Sequence, residues 1–176
     1  MHTGKKVRLR AIREEDLDTI VRIWMDNSLL ASDKIPYPLE LEEVREYLKK
    51  IRSDGNGYIF AVETLADHSM IGTINVSGIN WHHRYAYVGI SLDSELHNRG
   101  CGTDAMEILL RFIFEEMNLH KVKLEVFEFN PRAIRVYEKC GFRQEGRLRE
   151  EIFRYGRYHD VLVMGLLQEE YRSTTC

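Results

Sequence analysis

Cysteine is scarce in this sequence of 176 residues: Cys101, Cys140 and Cys176 lie far apart, with no Cys-x-x-Cys pair. An odd number of widely spaced cysteines argues against a disulfide framework and against a zinc knuckle, so we expect reduced thiols. No stretch approaches the roughly 20 apolar residues that a transmembrane helix requires. Met1 to Arg10 lacks the apolar run of a signal peptide, so we expect a cytoplasmic protein without a membrane partner.

The sequence also lacks a strong excess of one charge. Lys and Arg number 25 against 28 Asp and Glu, for a formal net charge of -3 at pH 7, which argues against a nucleic-acid partner. His82 and His83 are adjacent, but strand neighbours point to opposite faces and no Cys or acid lies at ligand spacing, so we expect no metal. With 44% hydrophobic residues, we expect residues 1–176 to form one domain.

The most informative stretch is a glycine loop, His97 to Gly102, between a strand-like and a helix-like run. Tyr85 to Leu92 alternates with the period of a strand, and apolar residues from Ala105 to Met117 recur at helical spacing. The first turn of a helix carries unpaired N–H groups and the positive end of the helix dipole, so such a loop is suited to a phosphate. The alternative is a glycine turn that caps a helix and binds nothing.

Hydrophobic periodicity along the chain predicts the order β-α-α-β-β-β-α-β-α-β-β. This order implies an α/β (α+β) fold with a mixed, mostly antiparallel sheet of about seven strands and helices on both faces. Pro36 and Pro38 interrupt regular helix, so we predict a loop from Asn27 to Leu39 and a helix from Leu41 to Arg52. The chain is predicted to close in a hairpin that turns at Arg154 to Arg157.

A second motif follows one strand after the loop. It matches the pattern Asn-x-x-Ala-x-x-x-Tyr-x-x-x-Gly-Phe at Asn130, Ala133, Tyr137, Gly141 and Phe142. Together, the two stretches resemble the acyl-CoA-binding core of the GNAT superfamily of N-acetyltransferases, whose loop reads Arg/Gln-x-x-Gly-x-Gly/Ala. The loop departs from this pattern at its first position, where His97 replaces Arg or Gln. The resemblance extends from Val7 to Leu167 and implies acetyl-CoA as cosubstrate.

The resemblance also implies a cofactor slot, in which the fourth and fifth strands splay apart beneath the loop and receive the pantetheine arm. Gly89, in the middle of the fourth strand, fits a bulge or a close approach at that point. His97 lacks the permanent charge of arginine, so we hypothesise weaker or pH-sensitive cofactor binding. Arg132 or Arg135 is the candidate for the 3′-phosphate; the alternative is that both simply face solvent. The cofactor-binding residues implied by the resemblance are Val88, Gly89, Ile90, His97, Asn98, Arg99, Gly100, Cys101, Gly102, Thr103, Asn130, Arg132 and Tyr137.

Two side chains are candidates for the chemistry itself. The resemblance assigns Tyr137 as general acid to the departing thiolate, because a phenol stays protonated at neutral pH; the alternative is a tyrosine that only packs. Glu125, twelve positions earlier, has a spacing similar to that of the base in protein N-terminal acetyltransferases. An ordered water is the alternative base, with Glu128 and the acids of the Leu39 to Glu43 region in reserve. Because Leu124 and Val126 face the core, Glu125 is expected on the opposite face.

The resemblance therefore implies an acetyl-CoA-dependent N-acetyltransferase that moves an acetyl group directly from the thioester to a primary amine. The acceptor expected first is a protein N-terminus, and the second is a polyamine of the spermidine type or another small amine. A polyamine would need an acidic groove, for which Glu40, Glu42 and Glu43 are candidates, although they otherwise form a solvated helix face. The alternative of another class is an acyl-CoA-binding or protein-interaction module without turnover. The resemblance also makes a homodimer a candidate assembly.

Overall fold

The computed structural model describes residues 2–31, 38–96 and 99–174. The strands are β1 (Val7–Arg10), β2 (Gly57–Thr64), β3 (Met70–Asn80), β4 (Tyr85–Leu92), β5 (Lys121–Phe127), β6 (Arg143–Arg154) and β7 (Arg157–Leu167). The helices are α1 (Leu17–Ala31), α2 (Leu41–Asp54), α3 (Cys101–Arg111), α4 (Pro131–Lys139) and α5 (Gln168–Thr174). Short 3-10 turns occupy Glu14–Asp16 and Ser94–Leu96, and a π-helical turn occupies Phe112–Glu116.

The seven strands form one sheet in the order β1-β2-β3-β4-β5-β7-β6. Every neighbouring pair is antiparallel except β4 and β5, which run parallel. The predicted order of elements and the mixed, mostly antiparallel sheet are therefore confirmed. None of the helices in the described parts of the chain is long and apolar enough to span a membrane.

Helices cover both faces of the sheet. On one face, the apolar side of α3 packs on the central strands, with Ala105, Met106 and Leu109 fully buried. On the other face, α1 and α2 enclose a separate cluster that includes Ile20, Leu48 and the β2 residue Ala61. The alternation of strand side chains explains this division, because successive residues point to opposite faces.

Two contacts hold α1 against the middle of the sheet. Trp24 Nε1 donates a hydrogen bond to Thr73 Oγ1 on β3 at 2.9 Å. Arg22 Nη2 lies 2.6 Å from Asp93 Oδ2, just after β4, and this hydrogen bond raises the pKa of Arg22. As a result, α1 is tied to the strand end that leads into the glycine loop.

Three sequence predictions need correction. The predicted loop from Asn27 to Leu39 begins too early, because α1 continues to Ala31; residues 32–37 lie outside the described chain. The helix predicted to run to Met117 changes at Phe112 into a π-helical turn. The closing helix α5 was not predicted, since its sequence is polar and short, and helical periodicity is weak in such a segment.

Candidate functional site

The parallel strands β4 and β5 pair over only three positions and then diverge. The last pair is Tyr87 with Lys123, and a cavity of about 510 Å³ opens beyond it. The walls are Val88 to Leu92 of β4 and Glu125 to Phe127 of β5, and the first turn of α3 and one side of α4 complete them. The predicted slot between the fourth and fifth strands is thus present.

The start of α3 lies at one end of this cavity. Gly100 is the N-cap with φ 80°, a left-handed conformation that glycine adopts without strain. Gly100, Cys101, Gly102 and Thr103 all line the cavity, and a Cβ on Gly102 would lie 3.4 Å from Leu92 Cδ1. The backbone N–H groups of this first turn are therefore available to an anion in the cavity.

One of the loop residues predicted to bind the cofactor, Arg99, does not line the described cavity, and two others cannot be placed relative to it. His97 and Asn98 lie outside the described residues. Arg99 is exposed, and its backbone carbonyl accepts a hydrogen bond from Lys6 Nζ. The Lys6 ammonium also lies 3.1 Å from the position that a Cβ on Gly100 would occupy. Lys6 is therefore a cation beside the loop that sequence reasoning missed, because it is far away along the chain.

The helix α4 presents three cations to the cavity: Arg132, Arg135 and Lys139. Burial lowers the pKa of the Arg132 guanidinium, and the nearby carboxylate of Asp26 partly offsets this. Asn130 also lines the cavity, and its Oδ1 accepts the N–H of Ala133 at 3.2 Å, which makes it the N-cap of the helix. The sequence predicted only a cofactor contact for Asn130, and the structure adds a role as helix N-cap.

Tyr137 lies in the cavity wall and is almost fully buried, with 6% of its surface exposed. Its ring packs edge-on against Phe142 at a centroid distance of 5.9 Å. Burial raises the pKa of the Tyr137 phenol to about 12, so the hydroxyl group carries its proton at every physiological pH. Burial likewise raises the pKa of the neighbouring Cys140 thiol to about 12. The packing role and the proton-donor role are thus compatible in this geometry.

Glu125 is exposed and lines the cavity from the face opposite Leu124 and Val126, both of which are buried in the core. The predicted alternation on β5 is therefore correct. Among the described residues, the Glu125 carboxylate has no ion pair or hydrogen bond. Glu128, by contrast, accepts the Asp160 N–H and pairs with Arg147 at 3.2 Å. The carboxylate of the reserve base Glu128 is therefore held by partners within the chain, whereas that of Glu125 can accept a proton or contact a ligand.

Beyond Tyr87, no strand in the described parts of the chain pairs with the edge of β4 that faces the slot. Residues on an antiparallel strand alternate in the direction of their N–H groups, so every second residue from Val88 to Leu92 directs its backbone away from β3 and towards the slot. The predicted bulge at Gly89 is wrong, because Gly89 pairs in register with Asn75. A Cβ on Gly89 would lie 3.0 Å from Asn75 Oδ1, so the space above Gly89 is restricted, and a close approach at the slot itself stays a prediction.

The two adjacent histidines lie in the turn between β3 and β4, and their rings pack together at 4.6 Å. The expectation that they point to opposite faces is therefore wrong, because this segment is a turn and not a strand. Within the described ranges, no group of three His, Cys, Asp or Glu residues could hold a metal ion. The absence of a metal remains a prediction.

Comparisons with known proteins agree with this geometry. The family model described as "Acetyltransferase (GNAT) domain" matches residues 6–143. Spermidine N(1)-acetyltransferase of Vibrio cholerae is 35% identical over 169 residues, which cover 96% of each chain. The Escherichia coli enzyme of the same name is 30% identical over 180 residues, covering 97% of this chain and 91% of its own. The crystal structure of the Vibrio cholerae enzyme in complex with CoA and spermine superposes with a TM-score of 0.86 and 34% identity, covering 94% of this chain and 98% of that one.

Proposed function

The chain belongs to the GNAT family of acetyltransferases, and we propose that its acceptor is a primary amine of a polyamine of the spermidine type. The chain is an acetyl-CoA-dependent N-acetyltransferase. The observation that carries the polyamine assignment is the likeness to spermidine N-acetyltransferases along almost the whole chain, including one bound to CoA and spermine. A protein N-terminus, the acceptor expected first from the sequence, has less support.

In the proposed arrangement, acyl-CoA lies in the slot between β4 and β5. The diphosphate contacts the backbone N–H groups at Gly100 to Thr103, with the cations of α4 nearby. The pantetheine arm runs along the unpaired edge of β4. A backbone N–H near Val88 to Ile90 donates to the thioester carbonyl and stabilises the negative charge that develops on its oxygen.

The transfer itself needs a neutral amine and a proton for the leaving sulfur. Glu125, or a water beside it, removes a proton from the acceptor ammonium, and the amine nitrogen attacks the thioester carbon. The tetrahedral intermediate collapses with cleavage of the C–S bond. The Tyr137 hydroxyl donates its proton to the departing sulfur, and the nitrogen loses its extra proton to water, from which the phenol regains its own. Its burial keeps the phenol protonated, and its place in the cavity wall supports this role.

The acidic helix face that was the candidate groove for a polyamine has partners within the chain. Glu43 Oε2 accepts the Glu40 N–H at 2.9 Å as part of a capping box at the start of α2, and Glu42 pairs with Arg45. These contacts account for the three glutamates as helix-stabilising groups. Glu125, whose carboxylate lines the slot and has no ion pair or hydrogen bond with any described residue, is the better candidate for contact with a cationic acceptor.

A CoA-release assay tests the proposal directly. Purified protein is incubated with acetyl-CoA and with spermidine, spermine, an N-terminal peptide, an amino acid or an aminoglycoside, and free thiol is measured. We expect kcat/KM for spermidine or spermine to exceed that for the peptide by at least about tenfold, which corresponds to about 1.4 kcal/mol of transition-state discrimination. Turnover of the peptide alone would contradict the polyamine assignment and favour the first sequence expectation.

A further inference from the structure

On β3, β4 and β5, three residues lie side by side, at one level of the sheet, just beyond the point where β4 and β5 diverge. Asn75 on β3 pairs in register with Gly89 on β4. The last β4–β5 pair is Tyr87 with Lys123, so two residues further along each strand Gly89 is level with Glu125. Two residues correspond to about 7 Å along a strand. On this face of the sheet, the level of Asn75, Gly89 and Glu125 is therefore the first one at which the slot is open.

These residues also share a face of the sheet. Ile74, Val76, Val88 and Leu124 are buried in the cluster on the α3 face, so Asn75, Gly89 and Glu125 belong to the opposite face. That face is the one covered by α1. Thr73, two residues before Asn75 and on the same face, accepts a hydrogen bond from the α1 residue Trp24. The proposed diphosphate site, by contrast, lies at the start of α3. The two substrates of a direct transfer can therefore approach the slot from different faces.

The Asn75 carboxamide leans over Gly89. Its Oδ1 is the nearest atom to the position of a Cβ on Gly89, at 3.0 Å, whereas Nδ2 is 3.9 Å away. Nδ2 makes a long hydrogen bond of 3.5 Å to Ser77 Oγ, which orients the carbonyl oxygen in the other direction. Because Gly89 has no side chain, this oxygen is next to the open strand edge.

A second polar group lies one level further along the same face. Ser91 pairs with Thr73 and lines the cavity, and its Oγ is buried with no hydrogen-bond partner among the described residues. A buried hydroxyl without a partner is unfavourable in the protein alone. A ligand that hydrogen-bonds to Ser91 Oγ would remove this penalty.

We propose that Asn75 Oδ1 and Ser91 Oγ bind the acceptor amine and hold it opposite Glu125, so that both are specificity-determining residues of the reaction. This inference rests on the proposed function. A primary ammonium has three N–H donors, and the two oxygens and the Glu125 carboxylate are three acceptors on one face of the slot. Once Glu125 has taken a proton, the two neutral oxygens hold the amine nitrogen in place while its lone pair attacks the thioester carbon.

Three variants test the inference with separate measurements of the two substrates. Asn75→Leu removes the oxygen at similar volume, Asn75→Asp retains an oxygen acceptor and adds a negative charge, and Ser91→Ala removes the hydroxyl. Gln144→Leu, at an exposed amide on β6, is the matched control. Each variant is assayed for the KM of spermidine and for acetyl-CoA affinity, and its folding is checked by thermal unfolding.

We expect Asn75→Leu and Ser91→Ala each to raise the spermidine KM about 3- to 10-fold, the loss of one hydrogen bond, while acetyl-CoA affinity stays within about twofold. Asn75→Asp keeps the spermidine KM at or below that of the unmodified protein, and Gln144→Leu changes neither value. An unchanged spermidine KM in Asn75→Leu, or a loss of acetyl-CoA affinity instead, overturns the inference. If the unmodified protein does not acetylate any polyamine, the proposed function fails, and the variants are compared with the amine that is turned over.

Discussion

Asp104 Oδ2 accepts the backbone N–H of Lys6 at 2.7 Å, which joins the first turn of α3 to the segment that enters β1. The same carboxylate accepts the N–H groups of Lys5 and Val7, both at 2.9 Å. A Cβ on Gly4 would lie 2.5 Å from Asp104 Oδ1, so glycine is required for this approach. Lys6 is thereby held beside the loop, with its ammonium group on the carbonyl of Arg99.

The Asp104 contacts predict a large effect on stability. In Asp104→Asn, an NH2 group replaces one of the two oxygens and cannot accept a hydrogen bond, so at least one of the three backbone N–H groups loses its partner. We expect the free energy of unfolding to fall by about 2 to 4 kcal/mol, measured by urea denaturation. Asp18→Asn, at an exposed carboxylate in the first turn of α1, is the control and should change it by less than about 0.5 kcal/mol. Equal effects of the two variants would contradict this account.

Gly100→Ala tests the cofactor loop. Alanine at φ 80° is strained by about 1 to 2 kcal/mol, and its methyl group would meet Lys6 Nζ at 3.1 Å. We expect the dissociation constant of CoA, measured by calorimetry, to rise about tenfold or more. Gly55→Ala is the matched control, because Gly55 has φ 61° with nothing within 4 Å and is at the end of α2. The control should lose stability but retain CoA affinity; loss of affinity in both variants would indicate a general folding defect.

Removal of the Tyr137 hydroxyl should separate chemistry from binding. We expect Tyr137→Phe to lower kcat by about 10²-fold, because the thiolate leaves without its proton donor, while CoA affinity changes little. Since burial raises the pKa of Tyr137 to about 12, ionisation of the phenol should cause no loss of activity between pH 6 and pH 9. Steady-state rates across this range provide the measurement, and a wild-type kcat in the variant would exclude the assignment.

Glu125→Gln should affect the acceptor more than the cofactor. The glutamine keeps an oxygen acceptor but cannot take a proton, so we expect kcat/KM for spermidine to fall about 10- to 100-fold. CoA affinity should remain within about twofold of the unmodified protein. Glu116→Gln, at an exposed glutamate of the π-helical turn, serves as the control. If Glu125→Gln retains full activity, water is the better assignment for the base.

Acid stability should depend on Glu63, which is 2% exposed and pairs with Arg8 and Arg10. Burial alone would raise the pKa of Glu63, but the hydrogen bonds from Arg10 and Arg8 outweigh it and hold the pKa below the ordinary 4.5. The carboxylate therefore stabilises the folded state above pH 4.5, and this contribution is lost as the pH falls below that value. In urea denaturation at pH 7 and pH 3, Glu63→Gln should lower stability at pH 7 and show a smaller decrease between the two pH values. An unchanged pH dependence would rule out this role.

Local pattern was sufficient to predict most of the fold. The alternation of Tyr85 to Leu92 and the helical spacing after Gly102 identified β4 and α3 correctly, and the motif from Asn130 to Phe142 identified α4. Each of these elements buries one face, so the spacing of its apolar residues in the sequence is enough to predict it. The sequence predicts too early an end for α1, because Pro36 and Pro38 show where regular helix is excluded but not where the helix before them ends.

The site was predictable only where its residues are close in sequence. Gly100 and Tyr137 belong to recognisable motifs, and both line the cavity. Asn75 and Ser91 were missed, because their relation depends on the register between β3 and β4 and on which face each strand presents to α1. Asp104 was missed for a similar reason, since its three N–H partners come from the start of the chain.

The divergence of β4 and β5 leaves a parallel pair with only three linked positions in the middle of the sheet. A ligand that fills this gap acts as a substitute strand, and it binds the folded state alone. The free energy of unfolding should therefore rise with coenzyme concentration, by about 2.7 kcal/mol when the coenzyme is at a hundredfold excess over its dissociation constant. At the same time, the backbone amides of Val88 to Leu92 should exchange more slowly with deuterated solvent. Hydrogen exchange in β4 would then report how much of the protein has coenzyme bound.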